Sequence, residues 1–132
     1  RLYAKKTETS IYVCMHASTE ALRKVHPREH AFEGLPIPPS GADAEGGGKW
    51  INRCDDFITV HRYTQSETEW MYTEVHVKKV KETETGGRPT FLNNPVKFLL
   101  NNGTQFLCAG KNALEIETVG IQSSNLQPNT EF

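Results

Sequence analysis

Asp43-Ala44-Glu45-Gly46-Gly47-Gly48-Lys49-Trp50-Ile51-Asn52-Arg53-Cys54-Asp55-Asp56-Phe57-Ile58-Thr59-Val60-His61-Arg62 is the stretch on which the fold of this chain turns. Its glycines give the backbone freedom ahead of a short helix, and the apolar run Phe57 to Arg62 that follows has the composition of a strand. A glycine-bearing turn, a short helix and a strand thus follow one another within twenty residues, in a chain that reads as a strand-rich sheet with one or two short helices. Downstream, the polar turn Gln65 to Glu69 leads into Met71 to Val80, whose partial alternation predicts a strand with one solvated face and a hairpin with the strand before it. Thr85-Gly86-Gly87-Arg88-Pro89 is turn chemistry. Val96 to Leu100 and Gln105 to Cys108, parted by Asn101-Asn102-Gly103-Thr104, predict a second hairpin around Asn-Gly.

Upstream, Ile11-Tyr12-Val13-Cys14-Met15 is a short apolar run behind the polar Lys5 to Ser10, the pattern of a fully buried strand after a helix, with His16 at its carboxyl end. From Ala17 to Asp43 the chain is polar and basic. Pro27, Pro36, Pro38 and Pro39 exclude a long helix there, leaving a loop with one helical turn at Thr19 to Lys24. The polar tail, residues 121–132, lacks any period and is expected to be disordered.

The 132 residues suffice for one domain. At 36% hydrophobic and 23% charged residues, the composition is that of a globular protein, and no apolar run approaches the roughly 20 residues that span a bilayer. A cytoplasmic location with no membrane partner is the expectation. A net charge of -1 confines any nucleic-acid site to a local patch. Cys14, Cys54 and Cys108 lack CxxC spacing, so reduced and mostly buried thiols are expected, without a metal site. Arg1 in place of Met suggests a piece of, or a processed product from, something longer.

Three segments together resemble the second half of the motor domain in DnaB-like replicative helicases, closest to the Twinkle-type primase-helicases of phages and mitochondria. They are Tyr12-Val13-Cys14-Met15-His16, the stretch from Asp43 to Arg62, and His76 to Gly87. Asp43, Gly46, Gly48, Asp55 and Arg62 match the family pattern without gaps. The resemblance spans about residues 10 to 110. It implies an α/β fold, the strand-rich C-terminal portion of a RecA-like core with one or two short helices, over residues 1–120. It implies a fragment of an ATP-dependent helicase that works as a ring on single-stranded DNA, with ATP and Mg²⁺ bound in the intact protein.

Residue by residue, the resemblance places His16 as the γ-phosphate sensor and the loop bearing Arg23, Lys24, His26, Arg28 and His30 against DNA, with Lys49 beside it. It places Arg62 near the nucleotide. Lys79 and Lys81 fall where the family has a Lys-x-Arg pair that reaches a neighbour's γ-phosphate. Lys81 departs from that pattern, because an ammonium offers charge without the bidentate fork of arginine; Arg88 is a nearby substitute. The phosphate loop GxxxxGK[ST] and the metal-binding carboxylate strand (the Walker A and B segments) are absent, and Gly46 to Lys49 lacks the spacing and the hydroxyl to replace the loop. The isolated chain is therefore expected to be inactive as an ATPase.

Each signal has a plainer counterpart. His16 can be a hydrogen-bonded histidine at a strand end, the basic loop a solvated one, and Lys78, Lys79 and Lys81 charges that protect a sheet edge. Trp50 fits either base stacking or the core, and His61 and His76 fit structural roles. A non-catalytic module with a RecA-like half-fold that binds single-stranded nucleic acid or a protein, or a small β-rich structural domain with chance matches, accommodates the same residues.

Overall fold

The computed structural model describes residues 2–115, so the expected tail at 121–132 lies outside the described residues, as do 116–120. A short helix, α1 (Leu2–Thr7), begins the described chain. The long loop that follows holds a 3₁₀ turn at Ala21–Arg23 and another at Gly41–Asp43. Next come α2 (Lys49–Arg53), β1 (Asp56–His61), β2 (Tyr72–Val80), the single helical turn α3 (Thr83–Gly86), β3 (Val96–Asn101), β4 (Gln105–Cys108) and β5 (Lys111–Asn112). Both hairpins and the helix after the glycines fall where their residue types predict. Asn102 and Gly103 take φ of 49° and 70° in the three-residue connection between Asn101 and Gln105, closed by Thr104 N–H donating to Asn101 O at 3.1 Å, and Asn-Gly supplies such a positive pair at least cost.

The fold is mixed α/β with one five-stranded sheet in the order β1-β2-β3-β4-β5. Every pairing within that sheet is antiparallel. The expected open parallel sheet is therefore not formed by the described residues. Parallel neighbours need a long crossover between them, and here each strand returns directly beside the one before it.

Register fixes what the two faces of the sheet carry. Thr59 opposes His76 and His61 opposes Glu74, whereas Ile58 opposes Val77 and Val60 opposes Val75. The polar face is the covered one: Thr59, Glu74 and His76 are buried. The apolar face is open, with Ile58 52% and Val60 65% exposed and Val96 and Phe106 also exposed. β2 has one solvated face, as its alternation predicts, but the open face is the apolar one, because the Pro-rich loop lies on the polar side. His26 N–H bonds Leu35 O and Ile37 N–H bonds Lys24 O, folding the loop back on itself. Thr59 Oγ1 then donates to Pro39 O at 2.9 Å, and Tyr63, buried, stacks on Phe32 at 4.3 Å. Among the described residues the buried apolar side chains are Ala21, Ala44 and Tyr63.

Ile11–Met15 is a second correction. It forms no strand, and Ile11, Tyr12 and Val13 are exposed, as is Cys14. A strand exists only through a partner's backbone groups, and no described residue offers this run any.

Candidate functional site

The segment 43–54 joins two of the predicted functional residues. Asp43 anchors it: its Oδ2 accepts from Ser40 N–H at 2.8 Å and from Ser40 Oγ at 2.6 Å, and its Oδ1 pairs with Lys24 Nζ at 2.6 Å. The Lys24 ammonium, with the Ser40 donors next, brings the Asp43 carboxyl down to about 2. Backbone bonds then tie the incoming chain to this anchor. Ser18 N–H donates to Asp43 O at 2.8 Å, and Glu45 N–H donates to His16 O at 3.0 Å. His16 is thereby held by its main chain while its side chain is exposed.

Gly46 and Gly47 follow with φ of 89° and 72°, where a side chain would be strained. A Cβ on Gly46 would also come within 2.9 Å of the Trp50 indole nitrogen. The turn delivers α2. At its carboxyl end, Lys79 Nζ from β2 donates to Ile51 O and to Cys54 O, the latter at 2.9 Å. A cation there satisfies carbonyls that the helix itself cannot and sits at the negative end of its dipole. His16 and Lys79 are therefore attached to the two ends of one turn and helix, although far apart in sequence.

Lys81, just beyond β2, reaches Asp55 Oδ1 at 3.4 Å, with both side chains well exposed. An ion pair so placed holds a side chain weakly. An open cleft of about 230 Å³ lies beside it, lined by Asp55, Asp56, Lys81, Glu82, Thr85 and Gly86. Lys79 and Lys81 thus share the end of the hairpin that α2 approaches.

Other predicted residues fall elsewhere. Arg62 is at the opposite end of the same hairpin, since Phe57 opposes Lys79 while His61 opposes Glu74, and its Nη2 donates to Trp70 O at 2.8 Å. Arg23, Arg28 and Lys49 are exposed. Trp50 is 43% exposed, so it does not take the core position allowed for it above. The Arg88 guanidinium lies 4.6 Å over the Phe91 ring.

A second cluster escaped the sequence. Glu74 Oε2 meets His76 Nε2 at 3.0 Å with both side chains almost fully buried, and Lys97 Nζ lies 3.4 Å from Glu74 Oε1. Lys97 also pairs with Glu69 at 2.9 Å. Above this group, His26 Nε2 and Tyr63 Oη are 3.0 Å apart, His26 stacks on His30, and His61 meets Tyr63 edge-on. Burial lowers the affinity of His26, His61 and His76 for a proton and, with Glu74 and Glu69 nearby, pushes the Tyr63 hydroxyl up to about 12. The signal was Glu74 and His76 two apart, on the same face as Thr59 and His61; the structural role read for His61 and His76 did not include Glu74 as a partner. Among the described residues, no three or more His, Cys, Asp or Glu side chains are grouped to hold a metal ion, and no helix is long and apolar enough to cross a membrane. Comparison with protein families, with curated proteins and with solved structures finds no match.

Proposed function

We propose that this chain is part of an ATP-dependent replicative DNA helicase of the DnaB-like, Twinkle-type class, a ring in which it contributes a phosphate-responsive histidine, a DNA-contacting loop and cations. The observation that carries this reading is the attachment of His16 and Lys79 to the two ends of segment 43–54, with the His16 side chain open to solvent. A phosphate drawn to the exposed side of this unit would act where the two ends of the basic loop meet, His16 before it and Asp43 after it. Lys79, held on two carbonyls, serves as a positioning residue for α2. Lys81, held by one surface ion pair, is the cation suited to reach outward.

The residues present do not by themselves fit ATP with Mg²⁺, because the chain has no phosphate loop and no serine or threonine set to hold the ion. Nucleotide turnover therefore belongs to the intact protein that the resemblance implies, not to this chain. For this chain the testable contribution is binding of single-stranded DNA through exposed Arg23 and Arg28. Anisotropy of a labelled oligothymidine should show binding that weakens with salt. Arg23→Ala with Arg28→Ala should weaken it further and flatten the salt dependence by a slope of about 0.7 per cation lost. No binding at low salt, or binding indifferent to both changes, would count against the reading, as would Mg²⁺-dependent ATP turnover by the chain alone.

The antiparallel meander favours one second reading, a small β-rich structural module in which the motif matches are coincidental. The two part on nucleotide: DNA affinity of the assembled protein responds to ATP in a motor and is indifferent to it in a module.

A further inference from the structure

The sheet and the amino-terminal segment each lack what the other offers. β1 is an edge strand: among the described residues no backbone–backbone hydrogen bond reaches Asp56–His61 from outside β2, and the Pro-rich loop meets it through side chains, Thr59 Oγ1 donating to Pro39 O. Two of its side chains, Ile58 and Val60, are apolar and more than half exposed. An edge of this kind, without lysine, proline or a cover, invites an added strand. Ile11–His16 has six residues, the length of β1, with Ile11, Val13 and Met15 on one alternating set and Tyr12, Cys14 and the polar His16 on the other. Tyr12 is 88% exposed, Val13 60% and Ile11 56%, and no described residue bonds the backbone of 11–15.

We propose that Ile11–His16 of one copy adds antiparallel to the free edge of β1 in a second copy, and reciprocally, giving a closed strand-exchanged dimer. Charge decides the direction. Antiparallel pairing sets His16 opposite Asp56 and brings Glu8 toward the Arg62 end, two favourable meetings. Parallel pairing would set His16 against His61 and Ile11 against Asp56. Period decides the register. With Ile11 opposite His61, Tyr12 falls against Val60 and Cys14 against Ile58 on the open apolar face; a slip of one residue would turn that set over. A net charge of -1 puts little repulsion between two copies. The contact is distinct from the one through Lys81 and stands whether or not the helicase reading does.

Light scattering on the purified chain across a wide concentration range should give twice the chain mass. Tyr12→Lys and Val60→Asp, both at exposed positions, should each abolish the dimer while the variant chain still unfolds in one cooperative transition. Mixed together, these two variants should recover it, because one contact then joins the new lysine to the new aspartate and the other is wild type. A monomeric wild type, a dimer that survives either substitution, a mixture that stays monomeric, or a ladder of larger masses would overturn the proposal.

Discussion

Removing the carboxylate of Glu74 is expected to cost this fold more than any single apolar truncation on the open face of its sheet. Glu74 is 4% exposed and His76 3%, and the His76 Nδ1 already lacks a partner. Glu74→Ala would leave both ring nitrogens of a buried imidazole unbonded, and an orphaned buried polar group costs about 1–3 kcal/mol. Lys97 softens the loss, because it is part-exposed and keeps Glu69. The loss should therefore fall toward the low side of that for a broken buried pair, about 2–4 kcal/mol. For a chain of this length that corresponds to a fall in Tm of about 7–14 °C. Urea unfolding followed by the fluorescence of Trp50 and Trp70 would measure it, with the slope against denaturant unchanged. The double variant Glu74→Leu with His76→Phe removes both polar groups at once and should lie within about 1 kcal/mol of the wild type, or above it. A Glu74→Ala chain within about 0.5 kcal/mol of wild type, or a double variant as damaged as the single one, would refute the argument.

Acid should destabilise the chain before its carboxylates titrate. His26, His61 and His76 are held below the usual imidazole value of about 6.5, chiefly by burial. The unfolded chain takes up protons near that value and the folded one does not, so stability is full above it and falls as pH drops toward the folded values. Tm measured between neutral and mildly acidic pH should decline, and His76→Phe should shrink the decline; a flat profile would contradict this. Gly41→Ala should destabilise by about 1–3 kcal/mol in the same unfolding assay, because its Cβ would lie 2.9 Å from Ile51 Cβ and Cγ1, against the helix it packs on.

Local chemistry was legible in this sequence and long-range pairing was not. Asn102–Gly103 specified its own turn, Gly46 and Gly47 specified a bend into α2, and the β-type runs at Asp56–His61 and Tyr72–Val80 came out as a hairpin. Those signals act within a few residues. Ile11–Met15 has the composition of a strand, yet composition cannot supply the neighbouring backbone that makes one. The alternation of β2 was visible, but which of its sides is covered depended on where a loop of more than twenty residues settled, and that loop settled on Glu74 and His76. At the candidate site the types and order of residues were readable. The hold of Ile51 and Cys54 on Lys79 was not, since nothing in the spacing of a lysine tells whether a helix end lies in its reach.

A sheet that turns its valines and isoleucines outward also changes how the molecule must be handled. Adhesion between such faces strengthens with sulfate and other excluded salts and weakens on cooling. Stocks of this polypeptide should accordingly stay clearer near ice temperature and at modest ionic strength than at the bench, and ammonium sulfate should bring it down early. Crystallisation trials built on high-sulfate screens would select this face as a lattice contact.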